Sequence, residues 1–437
     1  MPDSLWTETV KLPAFKTLDK DETTDVLIVG GGMAGLLCAY FLEKSGEQYI
    51  LCEANRIASG TTSGTTAVIS AQHDIFYGDI IKKQGSEAAG LYLEANLDAV
   101  NEFRSMSRNI DCDFEEKPSC NYSCSDYKKM SDEVDALASI GFSAELLTEI
   151  SLPIEIAAAV SFPGQAQFHP LKFVSGICRN LNIREMARII KIAGGENNTL
   201  LAYTDKHCIK AGKIIVTSHF PIINTHGMFF AKLYQMRSYV IALENAAEYD
   251  ATFVGVDNDG LYFRNYDNLL LVGGGDHRTG TEGGGYDALR RFAKNNYPYA
   301  SEKYAWAAQD CMSLDGVPYV GRYGSLLPDV FTATGFNEWG MTTSMLSAKM
   351  LTSMVQGKNN KYEKLFYPSR SMLSGQLVIN VGETIINFLT PKTKRCPHMG
   401  CALKWNKAEH SWDCPCHGSR FSEQGKLIDN PAKKGLK

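Results

Sequence analysis

The sequence predicts an α/β chain, α+β overall: one domain of parallel strands and helices, a second built on an antiparallel sheet and interleaved with it, and a small all-β module at the C-terminus. Three observations predict this. An apolar run, Asp25-Val26-Leu27-Ile28-Val29, enters a glycine turn and then a helical pattern. Through the middle, short β-rich runs alternate with turns. Within the last 42 residues, two Gly/Pro-punctuated boxes hold four of the twelve cysteines and two of the nine histidines.

The first stretch organises the chain. Val26 to Val29 reads as a buried parallel strand and Met33 to Lys44 as the helix behind it. Gly30, Gly32 and Gly35 fit G-x-G-x-x-G: the first allows the tight turn, the second lets a diphosphate approach the backbone, and the third lets helix and strand pack. With Met33 and Ala34 they form the expected phosphate cradle at a helix N-terminus. A second strand, Gln48 to Cys52, ends on Glu53, eighteen residues beyond Gly35, where a Rossmann-like fold places the acid that holds a ribose.

Composition narrows the function. With 44% hydrophobic and 21% charged residues, 437 residues suffice for two or three globular domains. The net charge of −5 is unclustered, which argues against a nucleic-acid surface or a polybasic membrane patch. The arm 1–24 is polar and without a signal-peptide core, and no segment reaches the length of a membrane span, so the expected compartment is the cytoplasm.

After Glu53 and Ala54 comes a Gly/Ser/Thr loop running to Ala67. Here the chain resembles the FAD-dependent oxidoreductases of the D-amino-acid oxidase, glycine oxidase and sarcosine oxidase superfamily. In that family E-x-x-R-x-x-x-G-T-[ST] follows the ribose-binding acid and runs beneath the flavin; the matching positions are Glu53, Arg56, Gly60, Thr61 and Thr62. His73 lies where members often contact the flavin, and a satisfied structural histidine is the equal alternative. Helices are expected over Ser86 to Ser107 and Ser131 to Gly141. A strand over Ala187 to Ile192, with Ile189, returns toward the adenine in the resemblance, and the strand Lys213 to His219, with Ser218, closes over the diphosphate.

Strands at Arg237 to Leu243, Leu261 to Arg264 and Leu269 to Gly275 suggest the antiparallel sheet, with Asp276 to Gly280 continuing as loop. By analogy with amino-acid oxidases, Arg237, Tyr239 and Arg264 are candidates to hold a substrate carboxylate; a solvated or salt-bridged arginine is the commoner case. Asp315 to Gly321 matches the superfamily's D-x-x-P-x-x-G. Gly335-Phe336 through Gly340, Met341 and Thr342 matches G-F-x-x-x-G-M, which aims a helix, expected over Ser344 to Val355, at the flavin pyrimidine. The resemblance divides residues 25–357 into FAD-binding segments (25–80, 160–222 and 305–357) and a substrate domain (81–159 and 223–304), followed by a linker, 358–389, and a terminal module, 390–437.

In that module Cys396-Pro397-His398-Met399-Gly400-Cys401 is followed by Cys414-Pro415-Cys416-His417-Gly418-Ser419, with fifteen residues between His398 and Cys414. Two thiolates and two imidazoles also suit tetrahedral zinc. The paired boxes resemble the Rieske proteins, in which two cysteines bind one iron of a [2Fe–2S] cluster and two histidines the other. The resemblance assigns Cys396, Cys414, His398 and His417 as ligands and Cys401 with Cys416 as a disulfide. Few strands can precede the first box, so the cluster is expected to lean on the flavin domain. His410 is expected at the surface.

The combination suggests an oxidoreductase that takes a hydride from an amine or amino-acid-like small molecule onto FAD and exchanges single electrons, through the cluster, with an acceptor or donor protein. A redox or oxygen sensor is the alternative.

Overall fold

In a computed structural model, residues 4–223, 226–324, 326–391 and 393–436 are described. The first sheet is built on the glycine-turn strand. Glu22–Val29 pairs in parallel with Tyr49–Cys52 on one side and Cys208–Val216 on the other, and these continue in parallel to Ile183–Arg184 and Val330–Thr334. Their inner residues (Leu27, Ile28, Leu51, Ile214, Ile215) are fully buried, as strands covered on both faces require. The helix Met33–Lys44 packs on this sheet and against the helix Gly340–Val355.

The second sheet has eight strands and carries Tyr234–Glu244 between Ser301–Met312 and Leu269–Arg278. Ser119–Ser123 and Ala158–Phe162 extend it, so segments far apart in sequence share one surface. The C-terminal module is a four-stranded meander from Lys404–Asn406 to Leu427–Asp429, and all of its strands follow the first cysteine box.

Several elements differ from expectation. The polar arm contains a short helix, Leu5–Thr9, whose Leu5 and Trp6 are buried; the Trp6 indole N–H donates to Thr65 O at 2.7 Å. The helix expected from Ser131 begins at Tyr127, because Asp126 caps it by accepting from Lys129 N at 2.9 Å. The helix expected from Ser344 begins at Gly340. No strand covers Ala187 to Ile190: Ala187 N bonds Glu53 O, Ile190 N bonds Tyr203 O, and the strand starts at Lys191 in a hairpin with Leu200–Tyr203. The glycines at 273 to 275 do not end their strand. It runs on to Arg278 through a bulge opposite Arg237 and Tyr239 that the positive φ of Gly274 and Gly275 permits. The segment expected as a linker holds a helix, Gly375–Leu389, capped by Ser374, with Val378, Ile379, Ile385, Ile386 and Phe388 exposed. Among the described residues no helix is long and apolar enough to cross a membrane.

Candidate active site and candidate metal centre

A cavity of about 370 Å³ opens where the glycine turn, the second sheet and the C-terminal module meet. The turn is shaped by close approach. Gly30 has φ 112° and any Cβ there would stand 2.6 Å from Thr217 O; a Cβ on Gly35 would stand 1.9 Å from Gly30 O. Only glycine lets strand and helix cross this tightly. Met33 N, in the first helical turn, bonds Thr62 Oγ1 at 3.0 Å, which draws the Thr61–Thr62 loop over the helix end. Glu53 accepts from Gly31 N at 2.7 Å and Asn55 N at 2.8 Å. Burial nonetheless raises its carboxyl pKa above the ordinary value.

Of the residues expected to hold the cofactor, Gly30, Gly32, Met33, Ala34, Glu53, Ala54, Gly60, Thr61, Thr62, Ile189, Ser218, Gly335, Gly340 and Met341 line this cavity. Three do not. Gly35 lies beneath the turn as a packing residue. Arg56 turns away to an ion pair with Glu185 at 2.7 Å and to Pro13 O, pinning the N-terminal arm. Thr342 donates to Ser70 O at 3.0 Å and meets His73 Nε2, also at 3.0 Å.

The candidates for substrate contact need correction. His73 lies outside the lining. Its Nδ1 meets Tyr92 Oη at 2.7 Å, its Nε2 is shared by Ser70 O and Thr342, and its ring stacks on Trp339. Burial lowers its pKa to about 3, so the ring is a neutral structural group. Arg237 is fully buried and spent on an ion pair with Glu409 of the C-terminal module, which also holds Arg420 at 2.9 Å. Tyr239 stacks on His277, and its hydroxyl meets that ring at 3.1 Å and Asn406 at 3.3 Å. Arg264 does line the cavity, yet its guanidinium donates to the carbonyls of Thr66, Ala67 and Phe168, and burial lowers its pKa to about 9. None of these arginines is presented as a ready carboxylate clamp.

What the sequence reading missed are the acids. Asp74, Asp276, Asp310 and Glu338 line the same cavity and come from four separate segments. No spacing in the sequence links them, so only the fold could have found them.

The C-terminal boxes form two matching loops. Gly400 N bonds Cys396 O and Gly418 N bonds Cys414 O, both at 2.9 Å. Cys401 and Cys416 are joined as a disulfide that ties the loops, with Cα atoms 6.7 Å apart. Cys396 and Cys414 are buried free thiols. Cys396 is lowered to about 7, first by its hydrogen bond with Cys414 and then by backbone N–H groups. The rings of His398 and His417 meet edge to face, their centroids 4.8 Å apart and their planes at 89°. His417 is buried, and neither of its ring nitrogens reaches hydrogen-bond geometry with a partner. Two buried free thiols and two imidazoles brought together by matching loops have the donor set of a two-iron cluster. Cys401, Cys414 and Cys416 also cluster closely, but with two of these sulfurs in a disulfide that trio lacks the thiolates a metal needs. His410 is exposed.

The two sites share walls. Thr61 Oγ1 donates to Gln309 O at 3.0 Å, and Gln309 Nε2 donates to Gly418 O in the second cluster loop, also at 3.0 Å. Phe220 and Phe230 lie edge-on to His417. Residues 428–433 of the C-terminal module themselves line the large cavity.

Comparison with known proteins finds two successive families along the chain. The FAD dependent oxidoreductase family profile matches residues 25–354, and the Rieske [2Fe-2S] domain profile matches residues 378–437. The Rieske 2Fe-2S iron-sulfur protein YhfW of Bacillus subtilis (strain 168) is 32% identical over 495 aligned positions, covering 100% of this chain and 97% of its own. The cytochrome b6-f complex iron-sulfur subunit of Fritillaria agrestis is 51% identical over 41 residues, 9% of this chain and 18% of that protein. Glycine oxidase from Geobacillus kaustophilus superposes with a TM-score of 0.67 at 18% identity, over 80% of this chain and 100% of that one. L-proline dehydrogenase from P. horikoshii gives 0.67 at 18%, over 80% and 98%. At that identity the two structures show the fold alone.

Proposed function

Because this chain belongs to the FAD dependent oxidoreductase family and carries a Rieske [2Fe-2S] domain behind it, we propose that it oxidises a small amine or amino-acid-like substrate and exchanges the electrons singly with an external redox protein. Its cofactors are FAD and a [2Fe–2S] cluster. When bound, FAD supplies a two-electron oxidant and the cluster a one-electron carrier. In this reading the glycine turn and the Met33 helix end hold the diphosphate, Glu53 holds the ribose, and Gly335 with the N-terminus of the Gly340–Val355 helix faces the flavin ring. Cys396, Cys414, His398 and His417 hold the iron.

The observation that carries the proposal is the shared wall: residues 428–433 of the cluster module close the cavity that the glycine turn opens. Two redox groups so placed serve electron exchange better than two independent binding functions. The structural likeness to a glycine oxidase and an L-proline dehydrogenase supports an amine or amino acid as the substrate class. The test is anaerobic addition of amines and amino acids to purified protein, with the flavin absorbance and the cluster EPR signal followed together. A donor that bleaches the flavin and then brings up a reduced-cluster signal with g-average below 2 is expected. If no donor of either kind bleaches a flavin that dithionite does reduce, the proposal fails.

A further inference from the structure

The four acids on the cavity wall are the least expected feature of this site. Asp276 lies on the strand Leu269–Arg278, Asp310 on Ser301–Met312, and Asp74 and Glu338 in loops with positive φ. Asp74, Asp276 and Glu338 are accessible, yet surrounding protein desolvates each one, so the surface they expose is the cavity's own. Asp276, Asp310 and Glu338 have no hydrogen-bonded or ion-paired partner among the described residues; the negative charges of Asp310 and Asp74 bear on Asp276, and those of all three aspartates bear on Glu338. The indole N–H of Trp339, buried on the same wall, turns toward Asp74 without reaching hydrogen-bond geometry with any group.

Unpaired carboxylates in a desolvated chamber are costly, and the cost is relieved by taking up a proton or by a bound cation. Nearby basic residues supply the positive charge only in part: His219 and Arg237 favour the Asp310 carboxylate, and no such charge bears on Asp276 or Glu338 among the described residues. Arg264 is held by three carbonyls, Lys433 Nζ donates to Ile190 O, and Arg188 lies by Glu53 at the ribose end. A metal ion fits poorly, because among the described residues no three of these acids gather their oxygens into a cage. The cation is therefore extended and organic. Arg237 and Tyr239, the groups best suited by analogy to a substrate carboxylate, face the C-terminal module instead.

We propose that the substrate is an aliphatic amine with two cationic nitrogens and no carboxylate, recognised by Asp276, Asp310, Glu338 and Asp74. This rests on the reading of the cavity as the amine-oxidising site. One carboxylate takes the proton of the ammonium to be oxidised: the N–H bond breaks, an O–H bond forms, and the nitrogen recovers its lone pair. Another carboxylate keeps its charge and anchors the distant ammonium.

The experiment uses the protein loaded with FAD and cluster. 1,4-Diaminobutane and spermidine are compared with butylamine, glycine, D-alanine and L-proline for anaerobic flavin bleaching. Binding of 1,4-diaminobutane is read independently by calorimetry. The diamines are expected to bleach and bind best. Asp276→Asn and Asp310→Asn are expected to weaken diamine binding about tenfold or more while FAD content and the cluster EPR signal stay unchanged. If a variant loses FAD, the order of donors on the unaltered protein decides. Bleaching by amino acids and not by diamines overturns this inference and leaves the proposed function standing, as does diamine binding that survives both substitutions. Bleaching by none of them overturns both.

Discussion

His73 shows how a buried titratable side chain sets a pH limit. Its ordinary pKa is 6.5 and burial holds it near 3 in the fold. Between those values the unfolded chain binds a proton that the native chain refuses, so stability rises with pH there. The stabilisation is complete above about pH 6.5 and is lost as pH falls toward 3, at about 1.4 kcal/mol per pH unit for one proton. Replacing His73 by Gln is expected to flatten the acid limb of denaturant unfolding by about one proton. Equal slopes for the two proteins would refute the assignment. At this scale the sequence was legible where chemistry depends on local spacing: the glycine fingerprint with Glu53, and the two Cys/His boxes. It was illegible where one side chain has rival partners. Arg237 on a strand looks the same whether it will meet a substrate carboxylate or Glu409, and only the packing of two domains decides.

At the scale of elements, the segment from Leu427 to Lys433 joins the two sites. Asn430 donates from its amide to Ser218 O and Phe220 O, both at 2.8 Å, and Ala432 N donates to Ser419 Oγ at 2.9 Å beside the second cluster loop. Asn430→Ala leaves the carbonyls of Ser218, on the cavity wall, and of Phe220 without this donor, a loss on the order of 1–3 kcal/mol. A lower melting temperature and a smaller FAD-to-protein ratio after gel filtration are expected, with the cluster signal retained. Full FAD retention would show that the segment merely lies over the cavity. Elements whose pattern matched their burial were read directly from the sequence, among them the helices Met33–Lys44 and Ser86–Ser107. Those set by tertiary hydrogen bonds were not. Ala187 to Ile190 has the composition of a strand, but it spends its bonds on Glu53 O and Tyr203 O while lining the cavity.

For the whole molecule, the C-terminal module has, among the described residues, no strands ahead of its first box and rests on the flavin-binding body, an arrangement its short sequence led one to expect. The contact is electrostatic at its centre. Glu409 lies between Arg237 of the second sheet and Arg420 of the module, and Arg420 also reaches Asp413 and Asp429, each at 3.1 Å. All three central groups are nearly inaccessible, with side-chain exposures of 3% for Glu409, 1% for Arg237 and 0% for Arg420. Breaking such a pair by removing one partner costs about 3–5 kcal/mol, mostly because a buried charge is left alone. The consequences of substitution should therefore be unequal. Arg237→Met leaves Glu409 neutralised by Arg420, whereas Glu409→Gln leaves two guanidiniums facing each other, only one of them still held by carboxylates. Glu409→Gln is expected to destabilise the chain more than Arg237→Met. It should also slow electron exchange between the two cofactors more, as followed by stopped-flow absorbance at flavin and cluster wavelengths, with both cofactor contents checked beforehand. The reverse order, or exchange rates untouched by either change, would mean that this buried charge triad does not govern how the cluster is seated against the cavity.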